Sequence, residues 1–243
     1  DYWPSEEFVF MKITAAENPL LNTDSLPLFN GFEAKQVEPA VRQLLEEGRE
    51  AIDALLTSGQ QGWKHVVSHL EEMDDRLGKA WSPVSHLNSV MNSDELREAY
   101  NNCLPLLTEY GNEVGQNKAL YEAYQQIKNS SEYTNFDTAQ KKVIDDALLG
   151  FHLSGVDLSE QDKEQFRKLS QQLSEATSKY SENILDATDN WELLISDSGE
   201  LPGLPETALA AAQQAAAANN KEGYLFTLDI PSYLPVMSYC ENR

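Results

Sequence analysis

From residue 37 to residue 187, apolar side chains recur every three or four positions. That spacing lays them along one face of an α-helix, whereas half-buried strands alternate apolar and polar residues. The first run is 38–56. Val37, Val41, Leu44, Leu45, Gly48, Ile52, Leu55 and Leu56 form one stripe, and Glu46, Glu47, Glu50 and Asp53 lie off it. Pro39 suits a first helical turn, and Gly59 is a stop signal. A second run, 63–77, repeats Trp63, Val66, Val67, Leu70, Met73 and Leu77, and Gly78 punctuates it. Pro83 is expected to break or kink the path through 82–87. Ser93 reads as the N-cap of a helix over 94–111, which Pro105 should kink.

Three more helices are expected at 118–128, 138–151 and 160–189. The last carries Phe166, Leu169, Leu173, Ala176, Tyr180, Ile184 and Ala187, close to a coiled-coil seam. In a helix-rich chain the seam is expected to pack against neighbouring helices. Strands are expected at 191–195 and 223–230, paired antiparallel across an alanine-rich helix at 206–219. A final helix begins near Ser232 or Leu234, with Pro235 in its first turn. The expected fold is mostly α: a multi-helical bundle with one small antiparallel two-stranded β element near the C-terminus.

Residues 1–35 read as irregular, interrupted by Pro4, Pro19 and Pro27. Met11-Lys12-Ile13-Thr14 resembles a translation start, so residues 1–10 are expected to be an extension without fold weight, inside an irregular segment 1–17. Residues 18–243 then form one helical lobe. The chain stops just after its last amphipathic segment begins, which suggests the front part of something longer.

Charge limits the partners. The chain has 243 residues, with 18 Lys+Arg against 40 Asp+Glu and a net charge of −22. Nucleic-acid binding draws on Lys and Arg, so it is not expected, and neither is docking on an anionic membrane. No apolar stretch approaches the ~20 residues of a membrane span. The N-terminal residues lack a basic region followed by an apolar run. Cys103 and Cys240 are far apart, form no CxxC, and read as two small buried hydrophobes of a reducing cytoplasm.

No GxSxG, P-loop, GxGxxG or EF-hand pattern is present. His65 and His69 have the i,i+4 spacing of an HExxH zinc helix, but Val66 stands where the general base would be. Glu72 could complete a three-ligand face, yet an exposed helical face beside the apolar stripe is the favoured reading. Glu46/Glu47, Glu71/Glu72, Asp74/Asp75 and Asp145/Asp146 read as solvated faces of an acidic chain. His86 is expected to be a linker histidine bonded to backbone. No catalytic, cofactor-binding or metal-binding residue is assigned.

Several stretches carry a family resemblance. They are Asn18-Pro19-Leu20-Leu21, the segment 77–90 with Trp81-Ser82-Pro83-Val84-Ser85-His86-Leu87-Asn88, and Glu95-Leu96-Arg97-Glu98-Ala99-Tyr100. The segments 135–142, 153–156 and 180–188, and Leu228-Asp229-Ile230-Pro231-Ser232-Tyr233-Leu234-Pro235, follow in order. From Asn18 onward the chain resembles the N-terminal part of the thimet-oligopeptidase family of zinc metallopeptidases. The resemblance implies a cytosolic, helical peptidase whose two lobes enclose a channel for short peptides. It places the zinc, the HExxH helix and a distant Glu ligand in the later lobe. Those residues have no counterpart in 1–243, so the chain is expected to be an N-terminal channel-wall fragment, inactive alone. It is expected to self-associate through apolar surface left for the other lobe. The alternative is a helical protein-interaction module or a regulator derived from a peptidase lobe, with the 166–187 seam as its docking face.

Overall fold

A computed structural model describes residues 12–24, 26, 27, 29 and 31–242. The extension expected at residues 1–10 lies outside the described residues. The chain divides into two compact units, 1–176 and 177–243.

In the first unit, a 3₁₀ turn at Pro19–Leu21 precedes α1, Val37–Ser58. Its apolar stripe is buried from Val37 to Leu55, and Gly59 closes it in the left-handed conformation at φ 64°. A side chain there would be strained, so glycine ends the helix at least cost. One π-helical turn, Trp63–Val67, then runs into α2, Ser68–Val90.

α2 corrects one half of the sequence expectation, the break at Pro83. It passes through both Gly78 and Pro83 without ending. An interior proline forfeits a backbone hydrogen bond and costs about 3 kcal/mol. Ala80, Pro83 and Val84 are buried here. Full burial of one valine-sized side chain returns roughly 1.5–3 kcal/mol, so tertiary packing outweighs the local penalty.

α3, Asp94–Gly115, starts as expected at Ser93, whose Oγ accepts from the Leu96 N–H at 3.2 Å. It extends one turn past the expected end and contains Pro105. α4, Lys118–Lys128, is capped by Asn117. A short α5, Ser131–Asn135, was not expected from the periodicity, since one turn shows no repeat. α6, Thr138–Leu153, begins with a capping box between Asp137 and Gln140. Two apolar clusters hold this unit together. Ile52, Val66, Val67, Leu120, Ile127 and Ile144 make one. Val37, Val41, Leu45, Ala80, Val84 and Cys103 make the other.

α7, Glu160–Asn190, is the longest helix, and the boundary between the units falls within it. Phe166 is half-buried, but Leu169, Leu173, Tyr180 and Ile184 are exposed. The expected packing of this seam is therefore not made among the described residues.

In the second unit, β1, Glu192–Ile195, pairs antiparallel with β2, Tyr224–Thr227. Leu193 faces Phe226 and Leu194 faces Leu225 in the register. α8, Glu206–Ala218, connects them and buries Ala212 and Ala216. α9, Ile230–Tyr239, starts earlier than expected: Asp229 is its N-cap, Pro231 lies in its first turn and Pro235 inside it. The fold class is thus confirmed, with nine α-helices and one two-stranded sheet among the described residues.

Candidate functional site

The two histidines singled out by spacing join no three-ligand group among the described residues. His65 lies in the π turn, where the Ser68 N–H bonds back to the Trp63 carbonyl, an i→i+5 bond. His65, His69 and Glu72 are all exposed. No group of three His, Cys, Asp or Glu side chains close enough to hold a metal occurs among the described residues. The residues present do not fit the zinc ion that the family resemblance implies. His86 is not in a linker but in α2, where its ring stands 5.5 Å from the ring of Phe29.

The acidic pairs behave mostly as solvated faces. Asp75 pairs with Lys79 at 2.6 Å, Asp145 with Lys128 at 2.8 Å, and Asp146 with Lys142. Glu47, half-buried, receives Arg76 at 2.9 Å and the Gln43 amide at 3.0 Å. Exposed pairs of this kind stabilise by at most about 1 kcal/mol each.

The structure assembles one relay that spacing did not show. The His152 Nε2 lies 3.1 Å from the Tyr121 hydroxyl, and His152 Nδ1 contacts Asp157. Gln125 donates to the same hydroxyl at 2.6 Å. Tyr121 is on α4, His152 at the end of α6, and Asp157 in the loop beyond. A histidine five residues before an aspartate across a helix end was the available signal. The relay has no serine, threonine or cysteine nucleophile among its members, and it is exposed. Its chemistry is that of a tie between two helices rather than a triad.

Cys103 supplies no nucleophile. Cys103 is fully buried, and burial pushes its thiol up to about 12. Cys240 is half-buried and donates to the Asn242 carbonyl at 3.2 Å. Both thiols are free.

A cavity of about 900 Å³ lies along α1 and α3 and is roofed by residues that precede α1. Gln43 fastens that roof. Its Oε1 accepts from the Ile13 N–H at 2.7 Å, and its Nε2 donates to the Ile13 carbonyl at 3.0 Å. Lys12 reaches Glu50 at 3.1 Å. Asn18, buried, caps the 3₁₀ turn through the Leu20 N–H at 3.2 Å and donates to the Gln36 carbonyl at 2.7 Å. The stretch Asn18–Leu21 is therefore a bolt onto the start of α1. The cavity carries no metal-ligand set among its described lining residues.

The sequence profile described as the neurolysin/thimet oligopeptidase N-terminal domain matches residues 41–163. Oligopeptidase A of Haemophilus influenzae is 52% identical over 226 residues, 93% of this chain and 33% of that protein. Oligopeptidase A of Salmonella typhimurium is 48% identical over 227 residues, again 93% of this chain and 33% of the relative. A probable cytosolic oligopeptidase A of Arabidopsis thaliana is 35% identical over 237 residues, 95% of this chain and 34% of the relative. The chain spans about a third of the length of the curated relatives it matches. On the profile match from α1 into α7, and on the identity to oligopeptidase A over nearly all its length, the chain belongs to the neurolysin/thimet oligopeptidase family and corresponds to its N-terminal part.

Proposed function

We propose that this chain is the channel-wall lobe of a cytosolic zinc oligopeptidase that hydrolyses short peptides, with residues 18–243 forming the lobe. The observation that carries this reading is the extent of the match: nearly all of this chain aligns with only a third of each oligopeptidase A. The sequence contains no HExxH. The lobe therefore guides and excludes peptides, and the attack of water on the peptide carbonyl belongs to residues outside it.

Surface chemistry supports the same reading. Leu169, Leu173, Tyr180 and Ile184 on α7 are exposed. So are Ile230, Leu234, Met237 and Tyr239 on α9. Apolar residues exposed in such rows call for a covering surface. In the isolated chain a second copy supplies it, so size-exclusion chromatography should show the apparent mass rising with concentration. A strict monomer over a range of about 100-fold in concentration would count against the uncovered face.

The activity test is direct. Quenched fluorescent peptides incubated with the purified chain, with zinc or with a chelator, should show no turnover above background. Chelator-sensitive turnover that scales with this chain would overturn the lobe reading and direct mutation to His65 and His69.

A further inference from the structure

A second cavity in the first unit, about 400 Å³, lies among α1, α2, α3, α4 and α6. That size is ordinary for a small-molecule site, roughly 300–1,000 Å³. Its walls are apolar, with Ile52, Leu120, Val143 and Phe151 among them. Its charged groups are all of one sign. Glu71, Asp74 and Asp146 line it, and no Lys, Arg or His does among the described residues.

Two further polar groups sit deep in the wall. Tyr110 and Tyr124 are only 7% and 5% exposed. Neither hydroxyl has a hydrogen-bond partner among the described residues, although the hydroxyls of Tyr121, Tyr133 and Tyr224 all do. Neither oxygen is sealed from solvent among the described residues, so both hydroxyls are left to accept from a ligand that enters the cavity. Both feel the acidic mouth. Burial raises the Tyr110 pKa and the Asp74 charge raises it further; burial, then Glu71 and Asp74, do the same to Tyr124. Asp74 makes no ion pair among the described residues, unlike its neighbour Asp75, which holds Lys79. Burial, then Glu71, raises the Asp74 pKa above its ordinary value.

We propose that this cavity binds a primary ammonium group carried on a compact apolar body, with the ammonium held by Asp74 and the Tyr110 and Tyr124 hydroxyls. An ammonium has three donors and no acceptor. A carboxylate and two hydroxyl oxygens offer it three acceptors, and the apolar walls take the hydrocarbon. An aromatic floor adds cation–π attraction. An anion is repelled by Glu71 and Asp74, and a neutral apolar molecule leaves both hydroxyls unpaired. The same chemistry is presented by a free alkylamine and by the N-terminus of a short apolar peptide. The inference rests on the geometry of the first unit alone and is independent of the catalytic assignment of the longer protein.

Isothermal titration of the 243-residue chain with isopentylammonium chloride tests it. A ligand of this size in a matching site should bind with a dissociation constant on the order of 1 mM. Asp74→Asn should weaken binding by ~10-fold or more, the loss expected of a charge-assisted hydrogen bond. Asp75→Asn, one residue along the same exposed turn, should leave it unchanged. Tyr124→Phe should weaken binding about fivefold without lowering the urea midpoint, because its hydroxyl has no partner to lose. Isopentyl alcohol, of the same shape but uncharged, should not bind. Leu-Leu amide with a free or an acetylated N-terminus separates the two sources. Binding of the free form alone assigns peptide N-termini, and binding of neither, with isopentylammonium still bound, assigns free amines. Absence of isopentylammonium binding, equal binding of the alcohol, or indifference to Asp74→Asn overturns the proposal.

Discussion

Replacing Leu120 with alanine should destabilise the first unit by about 2–5 kcal/mol, the usual range for emptying a fully buried leucine site. Leu120 is 0% exposed, and it sits with Ile127 and Ile144 in one of the two clusters of that unit. Position in the chain makes it more exacting than an average core leucine. α4 has only 11 residues. A helix that short is marginal in water by itself, so its stability comes from the face it buries. That face consists of Leu120, Tyr124 and Ile127. The measurement is a urea titration followed by helical circular dichroism, with the midpoint falling and the slope unchanged. Leu153→Ala, at a site 70% exposed, is the control and should move the midpoint by less than about 0.5 kcal/mol.

The same substitution at two glycines should give opposite signs. Alanine normally stabilises a helix interior relative to glycine by about 0.5–1 kcal/mol. Gly78, inside α2, has nothing within 4 Å of an added Cβ, so Gly78→Ala should gain that amount. At Gly48, inside α1, an added Cβ would meet the Tyr110 Oη at 2.4 Å and its Cζ at 3.0 Å. Tyr110 has little freedom to withdraw, since it is buried and Arg49 lies 5.6 Å over its ring. Overpacking costs about 1–3 kcal/mol, which outweighs the propensity gain and leaves Gly48→Ala destabilising by about 1–2 kcal/mol. Adding Tyr110→Phe, which removes the nearest atom, should restore much of the loss. Thermal unfolding of the two single variants and the double variant decides it; equal shifts at Gly48 and Gly78 would refute the close approach.

The helices were legible because their apolar period is local information. Val37 through Leu55 declare their buried face without reference to any partner. Where partners decide, the reading slipped. Pro83 looks like a breaker to its neighbours, and only the burial of Ala80 and Val84 keeps α2 going. The period from Phe166 to Ala187 identifies an apolar face on α7 but not what covers it. At the last helix, two prolines and a serine compete as start signals, and Asp229 takes the cap. The candidate sites show the same division. His65 and His69 were visible as a spacing, but the π turn that carries His65 was not, because a single inserted residue leaves no periodic trace. Asp74 was one acid in a run of acids. Its two tyrosines lie 36 and 50 positions away on other helices, and only folding brings their hydroxyls to the same cavity.

Gln43 holds the segment ahead of α1 by the main-chain N–H and carbonyl of Ile13, as a neighbouring strand would. A grip on the backbone is indifferent to the identity of the residue gripped. Position 13 can therefore drift among side chains of similar bulk while the attachment stays intact, whereas position 43 tolerates no such drift: glutamate lacks the donor, and leucine lacks both groups. The attachment at Ile13 is thus written in one place and fastened in another, by a residue 30 positions downstream.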